Sequence, residues 1–439
     1  MSGAVPPAPL LLARRERLLE RLGAGVAVLP AALPLHKSRD TAIRFRQDSD
    51  FHYLTGFGEP GAVAVLSPHD AEHRFTLFVR PREPERERWD GPRAGVEGAR
   101  ERWGADAAYP ISELGARLRD LLEPAEEVVC PLGVDSALEG RLLEILAGFR
   151  RTRPRSGRGP LRLVDADAVL APLRMIKEPW EVERLRAAAE LSAAGHHAAL
   201  ARARPGVGEW ELEAVLAATF RGGGGAGAAF PSIVGSGPNA TVLHHTANDR
   251  RTEAGELVLI DAGAELDMYC GDITRTFPVS GRWEERQLAV YDVVLAAQAA
   301  ALAAVRPGAP IAALHDAALR VLVEGMLQLR LLSGDADGVI ESGAYKAFYM
   351  HQTSHWLGLD VHDVGPYRTA DGPTLLRPGM VLTLEPGLYV PADAEGAPVE
   401  LRGIGVRIED DVLVTSGGHE VLTRAVPVEP AALAALVGG

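Results

Sequence analysis

Apolar residues follow two rhythms along this chain of 439 residues. In residues 1 to about 150, stretches with helical spacing, LLARRERLLERL and ISELGARLRDLLE, alternate with short apolar runs such as AVAVLSP and RFTLFVR. That alternation predicts an α/β layer. The segment 150–160, RRTRPRSGRGP, interrupts it with Pro and Gly and reads as an exposed connection. A domain boundary is therefore expected between 155 and 175, giving domains at 1–172 and 173–439. A long helix then opens at IKEPWEVERL, with Pro179 in its first turn, acids at Glu178, Glu181 and Glu183, and a stop at Arg204-Pro205-Gly206.

The second domain repeats itself. ARPGVGEWELEAVL (203–216) and VRPGAPIAALHDAAL (305–319) both read Arg-Pro-Gly followed by a helix. Gly255 precedes Asp261 by six positions, and Gly379 precedes Glu385 by six. Each half continues to another strand that carries an acid, Asp272 in GDITRTF and Glu409 in GVRIEDDVLV. No short fixed period is present, so the pattern predicts a duplicated α+β unit and not a solenoid.

Composition narrows the functional classes. The net charge of −13 argues against a nucleic-acid partner, because phosphate binding is driven by clustered positive charge. Two cysteines, Cys130 and Cys270, cannot build a disulfide framework and fit a reducing compartment, with the cytoplasm as the plain expectation. The N-terminal segment has no basic region ahead of its short apolar stretch, and no apolar run reaches the roughly 18 residues of a membrane span. Neither secretion nor membrane insertion is expected. The glycines 222–225 lack the Lys-Ser/Thr of a phosphate loop and read as a turn. His196 and His197, inside the long helix, read as structural.

The acids in the duplicated strands carry the chemistry. An acid that interrupts an apolar strand points into a core or into a cleft. Asp261, Asp272, Glu385 and Glu409 would gather at the centre if the halves pack across a pseudo-twofold axis. Four carboxylates that close would repel, and some would take up protons, unless positive charge sits among them. Two divalent cations would balance the charge, and such a pair can activate water and clamp a tetrahedral intermediate. His355, in HQTSHWLGLDVHDVG, completes the donor set, and His351, His362 and the earlier His244 lie in similar polar stretches. Oxygen donors with one imidazole suit a hard or borderline ion, with Mn²⁺ ahead of Co²⁺, Fe²⁺ or Zn²⁺.

LIDAG with GDITRTF, HWLGLDVHDVG, LTLEPGLY and GVRIEDD resemble the pita-bread metallopeptidases, most closely the Xaa-Pro aminopeptidases, also called aminopeptidase P. The resemblance extends into the first domain through FRQDSDFHYLTGF (45–57) and PERERWDGPRAG (84–95). It implies a catalytic pita-bread domain with pseudo-twofold halves behind a smaller α/β N-terminal domain. It implies a dinuclear site, usually manganese, bridged by Asp272 and Glu409, with Asp261 on one ion and His355 and Glu385 on the other. By the same resemblance His244, His351 and His362 face the substrate, Arg407 holds a ligand carboxylate, and Tyr389 lines the site. Trp89 is the candidate for a wall that admits only a free amino terminus, acting across a subunit boundary in a homodimer or homotetramer.

Two residues depart from the family pattern. His245 stands where an aromatic is usual, and Gln352 stands where glycine is usual, which bears on loop geometry and substrate preference. The expected reaction releases the first residue from peptides with proline second. The alternative is prolidase, with the same fold and metals but restricted to dipeptides. Creatinase-like relatives and non-catalytic pita-bread binding modules lack the full donor set that this chain carries.

Overall fold

The computed structural model describes residues 5–439, which form two compact units divided after Arg174. The N-terminal unit is built on one six-stranded sheet. Its spatial order is Ala107–Pro110, Phe75–Val79, Val63–Leu66, Gly25–Pro30, Glu127–Cys130 and Arg162–Asp165. The central strand Gly25–Pro30 is buried along its length, as expected where helices cover a sheet on both faces. Val26, Val28, Leu118, Leu142 and Phe149 form the core of this unit.

The segment 150–160 differs from its sequence reading. A helix runs from Ser136 to Ser156, straight through RRTRPRS, with Pro154 inside it. Proline there forfeits only one backbone bond close to the end of a helix rich in arginine, a good helix former. The helix ends where Gly157 takes φ +69° and donates its N–H to the Arg153 carbonyl at 2.8 Å. Glycine alone adopts that conformation freely.

The C-terminal unit contains the duplication. Each half pairs two antiparallel helices, Pro179–Arg202 with Glu209–Gly222 and Glu285–Ala304 with Ala312–Gln328. In the first half the strands Ile233–Ser236, Leu257–Asp261 and Thr274–Pro278 form an antiparallel sheet, with Asp261 opposite Ile233 on one side and Thr274 on the other. In the second, Val381–Leu384 pairs with Asp410–Thr415, and Gly387–Val390 pairs with Ile404–Arg407. A single bridge between Thr274 and Glu409 joins the two halves. The helix Pro179–Arg202 starts at a capping box of Glu178 and Glu181, and stops two residues ahead of Arg204.

One helix, Glu285–Ala304, is long and apolar enough by length and composition to cross a membrane. Its apolar residues serve another purpose, because Val290, Tyr291, Val294, Ala297 and Ala301 are fully buried in the core of the C-terminal unit. Gln298 on the same helix donates to Asp410 Oδ2 at 2.6 Å, a bond that ties the helix to the sheet. Among the described residues there is no disulfide, and both cysteines are buried.

Close backbone contact between two turns sets the central geometry. A Cβ added to Gly263 would meet the Gly271 carbonyl oxygen at 1.6 Å, and one added to Gly271 would meet Ser192 Oγ at 2.5 Å. Glycine at 263 lets the chain after Asp261 lie against the chain at Asp272, and glycine at 271 lets that second segment lie against the helix Pro179–Arg202. Gly263→Ala should force the two segments apart, with a stability loss of ~3 kcal/mol or more from overpacking. In a domain of this size that is a fall in Tm of roughly 6 °C or more, read by calorimetry.

Candidate metal centre

The four strand-borne acids and His355 converge. Asp261 ends its strand, Asp272 precedes Thr274–Pro278, Glu385 follows Val381–Leu384, and Glu409 lies between the strands Ile404–Arg407 and Asp410–Thr415. The segment carrying His355 is laid against the second-half strand by a short ladder. Glu385 N donates to the Thr353 carbonyl at 2.8 Å and Thr383 N to the His355 carbonyl at 2.9 Å, while His355 N donates to Thr383 Oγ1 at 3.1 Å. Ligand atoms of Asp272, His355 and Glu409 all lie within 4.8 Å of one another.

His355 turns its Nε2 toward this cluster. Its Nδ1 lies 3.0 Å from the Trp356 carbonyl, which can only accept, so Nδ1 carries the proton. The opposite nitrogen, Nε2, lies 3.4 Å from Asp272 Oδ2, 3.7 Å from Glu385 Oε1 and 3.9 Å from Glu409 Oε1. These separations are too long for hydrogen bonds, so no direct bond joins the ring to the carboxylates and a cation held by Nε2 would fit between them. Asp261 Oδ1 and Asp272 Oδ1 are likewise buried without a hydrogen-bond partner among the described residues. The unsatisfied oxygens and the oriented imidazole fit a cation site in which hard donors predominate.

The electrostatics of the protein alone are unfavourable. Burial first, then the charges of Asp261, Asp411 and Glu385, push the Asp272 carboxyl well above its ordinary range. Glu409 is pushed up in the same way by burial, Asp272, Glu385 and Asp261. Burial raises Glu385 to about 7, against the opposing pull of His355 and Arg407. A buried arginine supplies the fixed positive charge. Arg407 Nη2 donates to Asp261 Oδ2 at 2.6 Å, Nε to Thr274 Oγ1 at 3.1 Å and Nη1 to the Tyr389 hydroxyl at 3.0 Å.

His351 and Tyr389 extend the same network. His351 Nδ1 sits 2.8 Å from the Gln352 carbonyl and so carries a proton, which leaves Nε2 to accept from the Tyr389 hydroxyl at 2.9 Å. Burial and the Arg407 charge lower His351 to about 3, so the ring stays neutral. Tyr389 is raised to about 12 by burial, although Arg407 opposes the shift. His362 packs edge-on against His355 at a ring separation of 4.4 Å, and burial followed by His355 and His244 lowers its affinity for a proton.

The four acids, Arg407, His351, His355 and His362 line one open cavity of about 930 Å³, walled by apolar side chains such as Phe230, Ile233, Leu243, Ile311 and Val361. His244 reaches the cavity from an exposed loop, and Gln352 lies at its exposed rim. Trp89 is not brought to this cavity, whose lining comes wholly from the C-terminal unit. It sits on the short helix Pro84–Asp90 with its residue 87% exposed. His196 is structural as read, buried with Nε2 3.0 Å from the Ala262 carbonyl. The run Glu409-Asp410-Asp411 is buried throughout.

Three contributors had little or no sequence signal. Thr274 donates to Glu409 Oε2 at 2.5 Å and accepts from Arg407, and its place two residues after Asp272 on an alternating strand is the one clue. Thr353 and His315 are the others. Thr353 Oγ1 is 2.6 Å from the Tyr349 hydroxyl and 2.9 Å from His315 Nδ1, and both Thr353 and His315 line the cavity. A lone histidine on a helix carries no such forecast.

Comparison with known proteins gives a consistent placement. The profile of metallopeptidase family M24 matches residues 183–416, and that of the aminopeptidase P N-terminal domain matches residues 12–130. The Xaa-Pro aminopeptidase of Escherichia coli strain K12 is 41% identical over 426 residues, covering 97% of this chain and 96% of that protein. The solved structure of a Pseudomonas aeruginosa aminopeptidase superposes with a TM-score of 0.94 at 45% identity, covering 98% of both chains. A variant of Escherichia coli aminopeptidase P in complex with substrate superposes with a TM-score of 0.93 at 39% identity, covering 99% of this chain and 98% of that one.

The raised carboxyl groups set a pH dependence. Glu385 protonates near 7 in the folded chain and near 4.5 in the unfolded one. Between those values the metal-free folded state binds more protons than the unfolded state, so its stability falls as pH rises. Divalent cations replace those protons. The rise in Tm on adding Mn²⁺ should therefore be larger at about pH 8 than at about pH 5.5, as read by thermal unfolding with and without the ion. An equal or smaller gain at the higher pH would contradict the charge argument.

Proposed function

Because the chain belongs to metallopeptidase family M24, with an aminopeptidase P N-terminal domain ahead of its catalytic domain, we propose that it is a metal-dependent aminopeptidase. It releases the N-terminal residue from peptides with proline in the second position. The observation that carries this reading is His355 Nε2 turned toward three carboxylate oxygens in a cavity with apolar walls.

Asp261, Asp272, His355, Glu385 and Glu409 would hold two divalent cations, with Asp272 and Glu409 shared between them. When bound, such a pair supplies Lewis-acid polarisation of the scissile carbonyl and an activated water. Mn²⁺ is the ion proposed, supported by four carboxylates against a single imidazole. The remaining residues act through position and charge. Arg407 holds the Asp261 carboxylate and the Tyr389 hydroxyl at once, a two-sided grip that the planar fork of arginine provides and lysine cannot. Burial keeps the His351 ring neutral, and it would meet the peptide by exchanging its bond from the Tyr389 hydroxyl, while His362, its proton affinity lowered by burial, can donate or accept a hydrogen bond to the peptide. His244 stands across the cavity mouth as a further contact for the substrate backbone.

A prolyl nitrogen has no N–H to offer, so recognition falls to shape. The apolar wall of Phe230, Ile233, Leu243 and Ile311 is suited to a pyrrolidine ring. Trp89, exposed on the first unit, is proposed to close the site of a neighbouring subunit in a homodimer or homotetramer and to admit only a free amino terminus. The cytoplasm is the proposed location, supported by cysteines that form no disulfide.

With Mn²⁺ present, the tripeptide Arg-Pro-Pro should release free arginine, as measured by chromatography of the products. Cleavage of Xaa-Pro dipeptides with the tripeptide left intact would assign the chain to prolidase instead. Asp272→Asn and Glu409→Gln should each lower kcat/KM by roughly a hundredfold or more and reduce bound metal. Far-UV circular dichroism should stay unchanged in both, and full activity in either variant would remove the shared-ligand roles.

A further inference from the structure

Glu209, the first residue of the helix Glu209–Gly222, lies outside the cavity and is fully buried. Its carboxylate is saturated with donors. Oε1 accepts from Ser236 N and Ser236 Oγ, both at 2.7 Å, and from Asn239 Nδ2 at 3.1 Å. Oε2 accepts from Arg250 N at 2.9 Å, His245 Nε2 at 3.0 Å and Asn239 Nδ2 at 3.3 Å. Its own backbone N–H donates to the Arg250 carbonyl at 2.9 Å.

These partners are the two ends and the middle of one loop. Ser236 ends the strand Ile233–Ser236, Arg250 lies at the far end of the crossing, and Asn239 and His245 lie between them. Leu243, His244 and Thr246 from the same loop line the cavity. His244 and Thr246 thus face forward while His245, between them, faces back to the carboxylate. Glu209, His245 and Asp249 also place donor atoms within 4.8 Å of one another, which would suit a cation by spacing alone. The carboxylate has no lone pair to spare for one, because protein N–H and O–H groups already fill both oxygens.

We propose that Glu209 is a positioning residue that acts through His244. One buried charge fixes both ends of the loop, so the imidazole of His244 is presented to the cavity at a set height and angle. His245 contributes through its ring nitrogen, since a ring of carbon atoms alone in its place would bring no donor to the carboxylate. Charge-assisted bonds of this kind are the stronger class, and the burial that would otherwise raise the Glu209 carboxyl is outweighed by the Arg250, Ser236 and His245 donors, which hold it below its ordinary range. The proposal rests on the peptidase reading, because it gives His244 a role at the substrate.

The test is a double-mutant cycle with amide exchange on the metal-loaded protein. Glu209→Gln should speed hydrogen exchange across residues 236–250 and lower kcat/KM on Arg-Pro-Pro by roughly tenfold or more, since a displacement near 1 Å can remove a hundredfold. Bound metal should stay at the unmutated level. In a His244→Ala background the same change should remove less than about threefold further, because the group it positions is already gone. Asn239→Ala takes away two of the carboxylate's contacts and should show the same non-additivity with a smaller loss, which keeps the test open if Glu209→Gln does not fold. Unchanged exchange, a fully additive loss in the His244→Ala background, or a loss that tracks missing metal would each overturn the proposal. Exchange needs no substrate, so failure of the unmutated chain to cleave Arg-Pro-Pro would count against the peptidase reading and leave the loop clamp standing on its own measurement.

Discussion

Four carboxylates brought together in a partly dry cavity are the constraint around which the C-terminal unit is organised. Among the described residues Arg407 is the arginine in hydrogen-bond contact with them, and it reaches Asp261. The remaining acids repel one another at low effective dielectric, and their affinities for protons rise as a result. A protein could relieve that repulsion by adding arginines, and this chain does so a few ångström away. Leaving the centre under-neutralised is what gives it a strong attraction for divalent ions, because cations recover electrostatic energy that the fold has already spent.

The duplication makes such a centre attainable with few special residues. Each half delivers two acids from the ends or edges of antiparallel strands, and each strand is held by an ordinary ladder. The halves then need a single close junction, which the Thr274–Glu409 bridge and the hydroxyl of Thr274 provide. Gly263 lets the segment after Asp261 lie against Gly271 and Asp272, and Gly271 lets that segment lie against the long helix at Ser192. The symmetry is incomplete where chemistry requires it. The loop before Asp261 brings His244 to the cavity, whereas the corresponding stretch before Glu385 brings His351, His355 and His362.

The fold and the acids were legible in the sequence because both depend on short-range pattern. Arg-Pro-Gly followed by a helix, then glycine six residues ahead of an acid, is a local signal repeated twice. What depended on tertiary context was not legible. The segment 150–160 looks like a break from its Pro and Gly content, yet Pro154 falls where a helix tolerates it and only Gly157 stops the chain. The helix Glu285–Ala304 satisfies a membrane criterion because one face of it packs into the core, and burial in a core and burial in a bilayer select the same apolar residues. Glu209 and His315 were invisible for a related reason. Each acts through partners distant in sequence, and a single acid or histidine in a helix has many bland explanations.

Neighbouring acids with opposite surroundings separate the structural from the functional part of this centre. Asp410 receives Arg275 Nη2 at 2.7 Å, Thr423 Oγ1 at 2.6 Å and Gln298 Nε2 at 2.6 Å. Arg275 is itself fully buried and also donates to the Glu409 carbonyl, so it fixes the backbone without neutralising the Glu409 side chain. Asp411 spends one oxygen on the Asp272 N–H at 3.1 Å and thereby sets the height of the Asp272 strand. Glu409, between the sheets, receives only the Thr274 hydroxyl on Oε2, and its Oε1 faces His355. The three consecutive acids are therefore not interchangeable. Asp410 and Asp411 each take a bond that fixes neighbouring chain, whereas Glu409 takes one hydroxyl and turns Oε1 toward His355, so a proton or a cation must offset its buried charge.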